Sequence, residues 1–353
     1  VVAIDGETGD VHWSFQTVHH GLWDWDVPAQ PVLIDLPGDD GEKVKAVLVP
    51  TKRAEIFVLN RETGDPIFDI QELPVPQEGG VPEDYVAATQ PFTMDIPNFR
   101  EDMTEAKMWG ITPWDQLWCR VEFKKMRYEG HFTVPGTDTI FQFPGNAGGF
   151  NWGSVSVDQV NNIMVVNPMI VGNQFTLIPR DELPEGVPGN QLGTPYSQTT
   201  VRFMSPLQIP CNQPPYGMLA AIDLETKQLL WERSIGSAKE SGPLGIKTRL
   251  PVSIGTPLMG GTVTTAGGLT FIAGTFDNTI RALDLLSGEE LWSDELPFTA
   301  HATPMSYLSP GGKQTVIITG AVFNSTTGSG FRVLPADQED PQGGYIFAYR
   351  LPD

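Results

Sequence analysis

The sequence predicts an all-β protein, namely a β-propeller of four-stranded blades that is interrupted by one helical insertion. One observation behind this prediction is a turn motif that recurs along the chain and ends in an aromatic residue. The other is the composition, because 37 Gly and 31 Pro among 353 residues, with 18% charged residues, favour short strands joined by structured turns. We expect about five to six blades, forming one propeller portion over 1–353.

The turn motif starts with Asp or Asn and ends with Trp or Phe. Its four copies are Asp5–Trp13, Asn60–Phe68, Asp223–Trp231 and Asp284–Trp292. The first side chain can accept hydrogen bonds from the backbone two residues on, and a Gly, or Lys227 in one copy, allows the chain to turn. Apolar strands precede the copies, and their wide spacing fits propeller blades better than solenoid coils.

Three further stretches complete the predicted architecture. Between the second and third copies we expect a degenerate blade around GSVSVDQVNNIMVVNP (153–168), and GYIFAYRLP forms a closing strand. Two insertions interrupt the pattern, a helical one over about 87–140 and a long ordered loop over about 178–215.

A helix is predicted over Thr112–Tyr128. Thr112 is a suitable N-cap, Pro113 fits the first helical position, and Asp115 is placed to bond back to the backbone. The helical spacing predicts one apolar face, formed by Trp114, Leu117, Trp118 and Val121.

The charge balance excludes some partners. A net charge of −21 argues against nucleic acids and anionic membrane surfaces, because both bind basic patches. No apolar run in the sequence is long enough to span a bilayer. Since the first residues already read as part of a repeat, we expect this chain to be the C-terminal piece of a longer protein.

The chain has 2 cysteines, Cys119 and Cys211, which are too few for a disulfide scaffold or a zinc site. In a cytosolic protein they would be two buried thiols. In an exported protein one long-range disulfide is the better interpretation.

Asp24 is the first candidate for chemistry. It lies between two tryptophans, directly after His19 and His20. In an aromatic, water-poor setting a carboxylate is a strong general base or a ligand for a hard metal ion. The alternative is that Asp24 or Asp26 only caps a turn.

Three more residues are candidates on weaker grounds. Lys52 and Arg53 lie at a predicted hairpin tip, where basic side chains are usually solvated; they matter only if the tip points to the same channel as Asp24. Asn167 ends an apolar strand, so it either starts a turn or donates to a ligand carbonyl.

Several motifs together resemble one family. HHGLWDWDVPAQP, TKRAEIFVLNRETG, MWGITPWDQLWCRVEFKKMRYEG, FPGNAGGFNWGSVSVD and LPFTAHATPMSY resemble the C-terminal part of membrane-bound quinoprotein dehydrogenases of the glucose, quinate and shikimate group. The resemblance implies an eight-bladed propeller in the full protein, at the periplasmic face of the bacterial inner membrane. It also implies that the membrane anchor and first blades lie N-terminal to this chain, and that membrane contact occurs only through that segment. Export would favour the Cys119–Cys211 disulfide.

The same resemblance implies roles for individual residues. Asp24 would be the general base and a ligand of Ca²⁺ or Mg²⁺, and Lys52 would contact an oxygen of the cofactor pyrroloquinoline quinone (PQQ). Asn167, and with lower rank Asn151 and its neighbour Trp152, would be further cofactor contacts.

The implied substrates are polyhydroxy alcohols such as quinate, shikimate, polyols or aldoses. Hydride would pass to PQQ and electrons to ubiquinone. His20 and Arg332 are the predicted substrate residues. Glucose specificity is in doubt, because no His follows His301, where glucose-oxidising members carry one. The alternative function is a noncatalytic propeller scaffold of the outer-membrane assembly lipoprotein type.

Overall fold

The computed structural model describes residues 1–38, 41–187, 189–321 and 344–351 of the 353-residue chain. Its backbone is mostly β, as predicted. In chain order the strands are β1 (Val2–Ile4), β2 (Val11–Ser14), β3 (Val32–Pro37), β4 (Lys43–Pro50), β5 (Ile56–Asn60), β6 (Ile70–Pro74), β7 (Thr89–Thr93), β8 (Ile140–Gln142), β9 (Ser156–Asp158), β10 (Ile163–Val166), β11 (Asn173–Pro179), β12 (Tyr196–Arg202), β13 (Met218–Asp223), β14 (Gln228–Ser234), β15 (Thr262–Thr264), β16 (Leu269–Ile272), β17 (Thr279–Asp284), β18 (Glu290–Glu295), β19 (Met305–Leu308), β20 (Gln314–Ala321) and β21 (Gly344–Tyr349). The described α-helix is α1 (Pro113–Phe123), and short 3₁₀ turns lie at Glu105–Lys107, Arg180–Glu182, Ala238–Glu240 and Pro243–Gly245.

The chain divides into two compact units. Unit 1 consists of Val1–Val27, Val49–Gly149 and Ile170–Gln213, and unit 2 of Pro28–Leu48, Phe150–Met169 and Pro214–Asp353. The expectation of a single propeller portion over 1–353 stays a prediction.

Unit 2 contains two four-stranded antiparallel sheets of the predicted blade type, ordered β14-β13-β10-β9 and β15-β16-β17-β18. The segment 153–168 supplies β9 and β10 of the first sheet, which pairs with the third turn motif through β13. The predicted position of the degenerate blade therefore needs correction: 153–168 is half of the blade that carries the third turn motif, and an incomplete sheet between the second and third copies is the three-stranded β12-β11-β8. One blade is divided in sequence, because the excursion 170–213 separates its two hairpins. The predicted closing strand is β21, paired with β20.

The turn motif forms the turn that the sequence predicts. In each copy the first Asp or Asn accepts two backbone N–H bonds, as at Asp223, which lies 2.9 Å from the nitrogens of both Glu225 and Thr226. Positive φ follows at Gly9, Gly64, Lys227 and Gly288. These bonds satisfy the polar groups of the turn backbone. They also place the closing Trp on the strand that follows the turn.

The closing Trp has a docking role. The indole Nε1 of Trp13 donates to Arg61 O at 3.1 Å, and that of Trp231 donates to Leu285 O at 2.8 Å. Both acceptors belong to the next turn motif along the same unit. The repeat therefore joins successive sheets, which is why its Trp and its turn recur together.

Helix α1 is capped as predicted, because the Thr112 side chain accepts a bond from Asp115 N at 3.1 Å. It ends at Phe123, earlier than the predicted Tyr128, and its buried face differs from the predicted one. Trp114 is 81% exposed, and Leu117 and Val121 are also exposed. The buried side chains of α1 are Asp115, Cys119 and Phe123.

A disulfide explains this orientation. Cys119 and Cys211 are bonded, with Cα atoms 5.4 Å apart, as the exported alternative predicts. Both are fully buried in a cluster with Phe123, Phe141 and Phe203. The disulfide holds the Cys119 face of the helix against this core. The opposite face, although more apolar, is left exposed to solvent.

Both predicted insertion boundaries need correction. Within the predicted loop 178–215, Tyr196–Arg202 is a strand that pairs with β11 over seven residues. Its Thr and Val residues favour extended structure despite the surrounding Pro and Gly. Within the predicted helical insertion 87–140, only α1 and one 3₁₀ turn are helical, and Thr89–Thr93 is a strand. No helix in the described ranges has the length and apolarity to cross a membrane.

Candidate active site

The loop that carries Asp24 is held by its two tryptophans. Asp24 has a left-handed backbone, with φ of 58°. The Trp23 indole donates to Thr133 O at 2.7 Å, and the Trp25 indole donates to Pro144 O at 3.3 Å. Both rings are buried and stacked on each other. A positive φ at a residue other than Gly carries strain, so these contacts are what keep Asp24 in place.

Asp24 and Lys52 lie together, as the sequence requires for a shared site. Lys52 Nζ is 3.4 Å from Asp24 Oδ1 and 2.6 Å from Asp26 Oδ1. Asn146, which the sequence analysis missed, donates to Asp24 Oδ2 at 3.5 Å. Partial burial raises the pKa of Asp24, the nearby Lys52 charge opposes that shift, and the Asp26 charge adds to it. A raised pKa makes Asp24 a stronger base.

The tip that carries Lys52 is not solvated. The Lys52 side chain is 13% exposed, and Arg53 is fully buried. Gly149 N donates to Lys52 O at 2.7 Å, and Gly148 lies so close that any Cβ there would overlap the Lys52 stem. Because Gly148 and Gly149 have no side chains, their backbone can lie in direct contact with Lys52.

Arg53 is a second residue whose role sequence reasoning missed. Its guanidinium forms an ion pair with the buried Glu55 and donates to Thr17 O. The rings of Phe92 and Phe132 lie 5.2 and 4.8 Å from it. Burial lowers the pKa of Arg53 to about 10, while Glu55 opposes that shift, so the guanidinium stays charged at neutral pH. The adjacency of Arg53 to Lys52 was the only sequence signal.

His131 lies under the same loop. Its ring stacks on Trp25 with 4.4 Å between centroids, and Nδ1 is 3.3 Å from Phe143 O. Complete burial, together with the charge of Arg53, holds its pKa well below the ordinary value. His131 is therefore uncharged at physiological pH, and its ring packs against the Asp24 loop through Trp25.

His20, a predicted substrate residue, already has a carboxylate partner. Its Nε2 is 2.6 Å from Asp84 Oδ1, and its ring stacks on Tyr85 at 3.6 Å. The neighbouring His19 Nε2 is 2.8 Å from Glu72 Oε1. A substrate role for His20 stays a prediction, and Arg332 lies outside the described residues.

The other predicted cofactor residues belong to unit 2. Asn167 is buried at the end of β10, and its side-chain amide donates to Gly260 O at 2.9 Å. Asn151 Oδ1 accepts from Trp152 N at 2.8 Å, and the Trp152 side chain is half-exposed. The structure gives each of them a defined place within unit 2, and their roles stay predictions.

The polar groups around Lys52 are better suited to binding a quinone than to forming a complete metal site. An ammonium held among carboxylates and an amide can meet carbonyl and carboxylate oxygens of a planar quinone. In the described ranges, no group of three or more His, Cys, Asp or Glu is placed to hold a metal ion. Near Asp24, unit 1 places the Asp26 carboxylate and the Asn146 side chain, whose amide N–H and not its oxygen faces Asp24. Ca²⁺ takes about six to eight oxygen ligands. Asp24 as a metal ligand therefore stays a prediction.

The chain is similar to known dehydrogenases over its whole length. It is 43% identical to a probable quinate dehydrogenase (quinone) of Xanthomonas campestris pv. juglandis, over 100% of this chain and 45% of that protein. It is 41% identical to a quinoprotein glucose dehydrogenase of Escherichia coli, over 100% of this chain and 44% of that protein. The chain thus spans less than half the length of these relatives.

Structural similarity agrees at the level of the fold. A europium-containing methanol dehydrogenase matches with a TM-score of 0.56 and 19% identity, covering 91% of this chain and 44% of that one. A family model described as the β-propeller domain of PQQ-dependent glucose, ethanol and alcohol dehydrogenases matches residues 1–316. The chain therefore belongs to the PQQ-dependent dehydrogenase family, and its fold is the family's β-propeller.

Proposed function

We propose that the protein containing this chain oxidises a polyhydroxy alcohol and passes the electrons, through PQQ, to ubiquinone. The observation that carries the proposal is the position of the Lys52 ammonium 3.4 Å from the Asp24 carboxylate, in a loop anchored by two buried indole rings. The names of the relatives, which include quinate and glucose dehydrogenases, support this substrate class. The periplasmic face of the inner membrane is the proposed location, and Ca²⁺ or Mg²⁺ the proposed metal.

Asp24 would act as the general base. Its carboxylate has a raised pKa and is more than half exposed, so a substrate hydroxyl can reach it and lose its proton to Oδ1 or Oδ2. The left-handed backbone and the two indole anchors keep the carboxylate in one position during that transfer. When bound, PQQ supplies the hydride acceptor.

Lys52 would supply a fixed positive charge. An ammonium next to developing negative charge stabilises it most when the ammonium is already held in place. Lys52 would contact the cofactor, and we propose Asn167, Asn151 and Trp152 as further cofactor contacts. His20 and Arg332 remain the proposed substrate residues.

A dye-linked dehydrogenase assay on the complete protein tests the proposal. The protein is reconstituted with PQQ and Ca²⁺ or Mg²⁺ and offered quinate, shikimate, glucose and glycerol, with and without cofactor. We expect PQQ-dependent dye reduction with at least one of them. PQQ binding without turnover of any polyhydroxy alcohol would contradict the substrate class, and absence of both would contradict the enzyme function.

A further inference from the structure

Lys52 is shared unequally by two carboxylates. Its Nζ lies 2.6 Å from Asp26 Oδ1 and 3.4 Å from Asp24 Oδ1. The shorter distance is that of a strong charge-assisted hydrogen bond, whereas the longer one exceeds ordinary hydrogen-bond length. The main partner of the ammonium is therefore Asp26, although the sequence resemblance singles out Asp24.

Asp26 also holds the backbone of Lys52. Lys52 N donates to Asp26 O at 3.2 Å, so the two residues are joined at both the main chain and the side-chain ends. On the other side, the Lys52 stem packs against Gly148, where a Cβ would overlap it. With the stem confined and both ends tied to Asp26, Lys52 has little freedom to change rotamer.

We propose that Asp26 is a positioning residue that holds the Lys52 ammonium away from Asp24 and keeps the Asp24 carboxylate available to a substrate hydroxyl. This inference rests on the proposed function of Asp24 and Lys52. Asp26 acts through Lys52 and not on the substrate.

These distances predict the consequence of removing the Asp26 carboxylate. Among the described residues, Asp24 is then the remaining carboxylate partner of the ammonium, 3.4 Å away, and we expect the released Lys52 side chain to move toward it. A direct Lys52–Asp24 pair occupies a carboxylate oxygen of the base and moves the ammonium from its position. One substitution at Asp26 therefore impairs both groups.

The first test measures Lys52 itself in the complete protein without cofactor. Pulse labelling with an amine-acylating reagent, quantified at Lys52 by peptide mass spectrometry, is compared between Asp26→Asn and Asp24→Asn. We expect Asp26→Asn to raise the labelling rate about three- to tenfold and Asp24→Asn to change it less than about twofold, because the shorter bond provides the main restraint.

The matched control is a more exposed ion pair elsewhere in unit 1, Lys107 and Glu101. Glu101→Gln should affect labelling of Lys107 and leave Lys52 unchanged. An equal or larger effect of Asp24→Asn than of Asp26→Asn at Lys52 overturns the proposal. This measurement needs no turnover, so it separates the inference from the proposed function.

The second test is a double-mutant cycle on the reconstituted protein, with kcat from dye reduction and the PQQ Kd from fluorescence quenching. We expect Asp26→Asn to lower kcat about 10- to 100-fold and to weaken PQQ binding. In a Lys52→Gln background it should change both by less than about twofold, and Asp26→Glu should restore part of the loss. Additive effects overturn the positioning role. If the wild-type protein neither binds PQQ nor reduces dye, the proposed function fails, and the labelling ratio alone decides which carboxylate holds Lys52.

Discussion

The ring of Trp231 covers Gly288, where a Cβ would lie 2.6 Å from the indole Cδ2. The same indole donates to Leu285 O at 2.8 Å, so ring and turn are joined by packing and by a hydrogen bond. Gly288 also has a positive φ, of 66°. Its lack of a side chain therefore serves both the turn and the docking of the Trp.

Gly288→Ala should lower the free energy of unfolding by about 2–4 kcal/mol, because the new methyl group must displace the Trp231 ring in addition to straining the backbone. Urea titration followed by fluorescence measures the loss. Gly312→Ala is the matched control, since Gly312 has a φ of 76° and open space around its Cβ position. It should cost only about 1 kcal/mol. Equal losses would show that the ring contact does not matter.

Asp24→Asn should abolish most activity without removing the cofactor. The amide is nearly the same size but cannot accept the proton, so kcat should fall about 10²- to 10⁴-fold. Dye reduction and PQQ binding are measured on the same reconstituted sample. Asp65→Asn, at an exposed turn, is the control and should retain activity. Unchanged kcat in Asp24→Asn would remove Asp24 from the mechanism.

Arg53→Met should destabilise the protein strongly. It leaves the buried Glu55 with the partly exposed Arg100 as its remaining ionic partner, and breaking a buried pair from one side costs about 3–5 kcal/mol. Adding Glu55→Met should recover a substantial part of the loss, because the uncompensated charge is gone. Thermal unfolding of the single and double variants checks this expectation. A double variant no more stable than Arg53→Met would contradict the charge argument.

Stability should fall as the pH drops from about 6.5 to about 4. Burial lowers the pKa of His301 to about 4, so in this range the unfolded chain binds a proton at this position and the folded chain does not. Across this pH window, protonation of His301 therefore lowers the free energy of unfolding by at most about 3 kcal/mol. Above about pH 6.5 this group causes no further change. His131 shifts in the same direction.

His301→Gln should flatten that pH dependence. The free energy of unfolding is measured by urea titration at several pH values between 7 and 4 for the wild type and the variant. His12→Gln, which removes an exposed imidazole, is the control. An equal change of slope in the control would contradict the assignment to His301.

Local interactions made part of the fold predictable. The turn motifs at Asp223 and Asp284 could be identified because an Asx turn depends on residues two or three positions apart. The cap at Thr112 is local in the same way. The face of α1 was not predictable, since its orientation depends on the bond between Cys119 and Cys211, 92 residues apart in sequence.

The candidate site shows the same division. The sequence by itself determined the residue types, Asp24 between two indoles and Lys52 in a short turn, and the family to which they belong. Only the tertiary structure decided that Asp26 is the nearer partner of Lys52. It also decided that Arg53 is a buried, ion-paired side chain and not a solvated side chain at a hairpin tip. The physical reason is that burial and ion pairing depend on which distant segments meet. Thr133, Pro144 and Gly148 meet the Asp24–Lys52 region across about a hundred residues of chain, and no local pattern encodes that meeting.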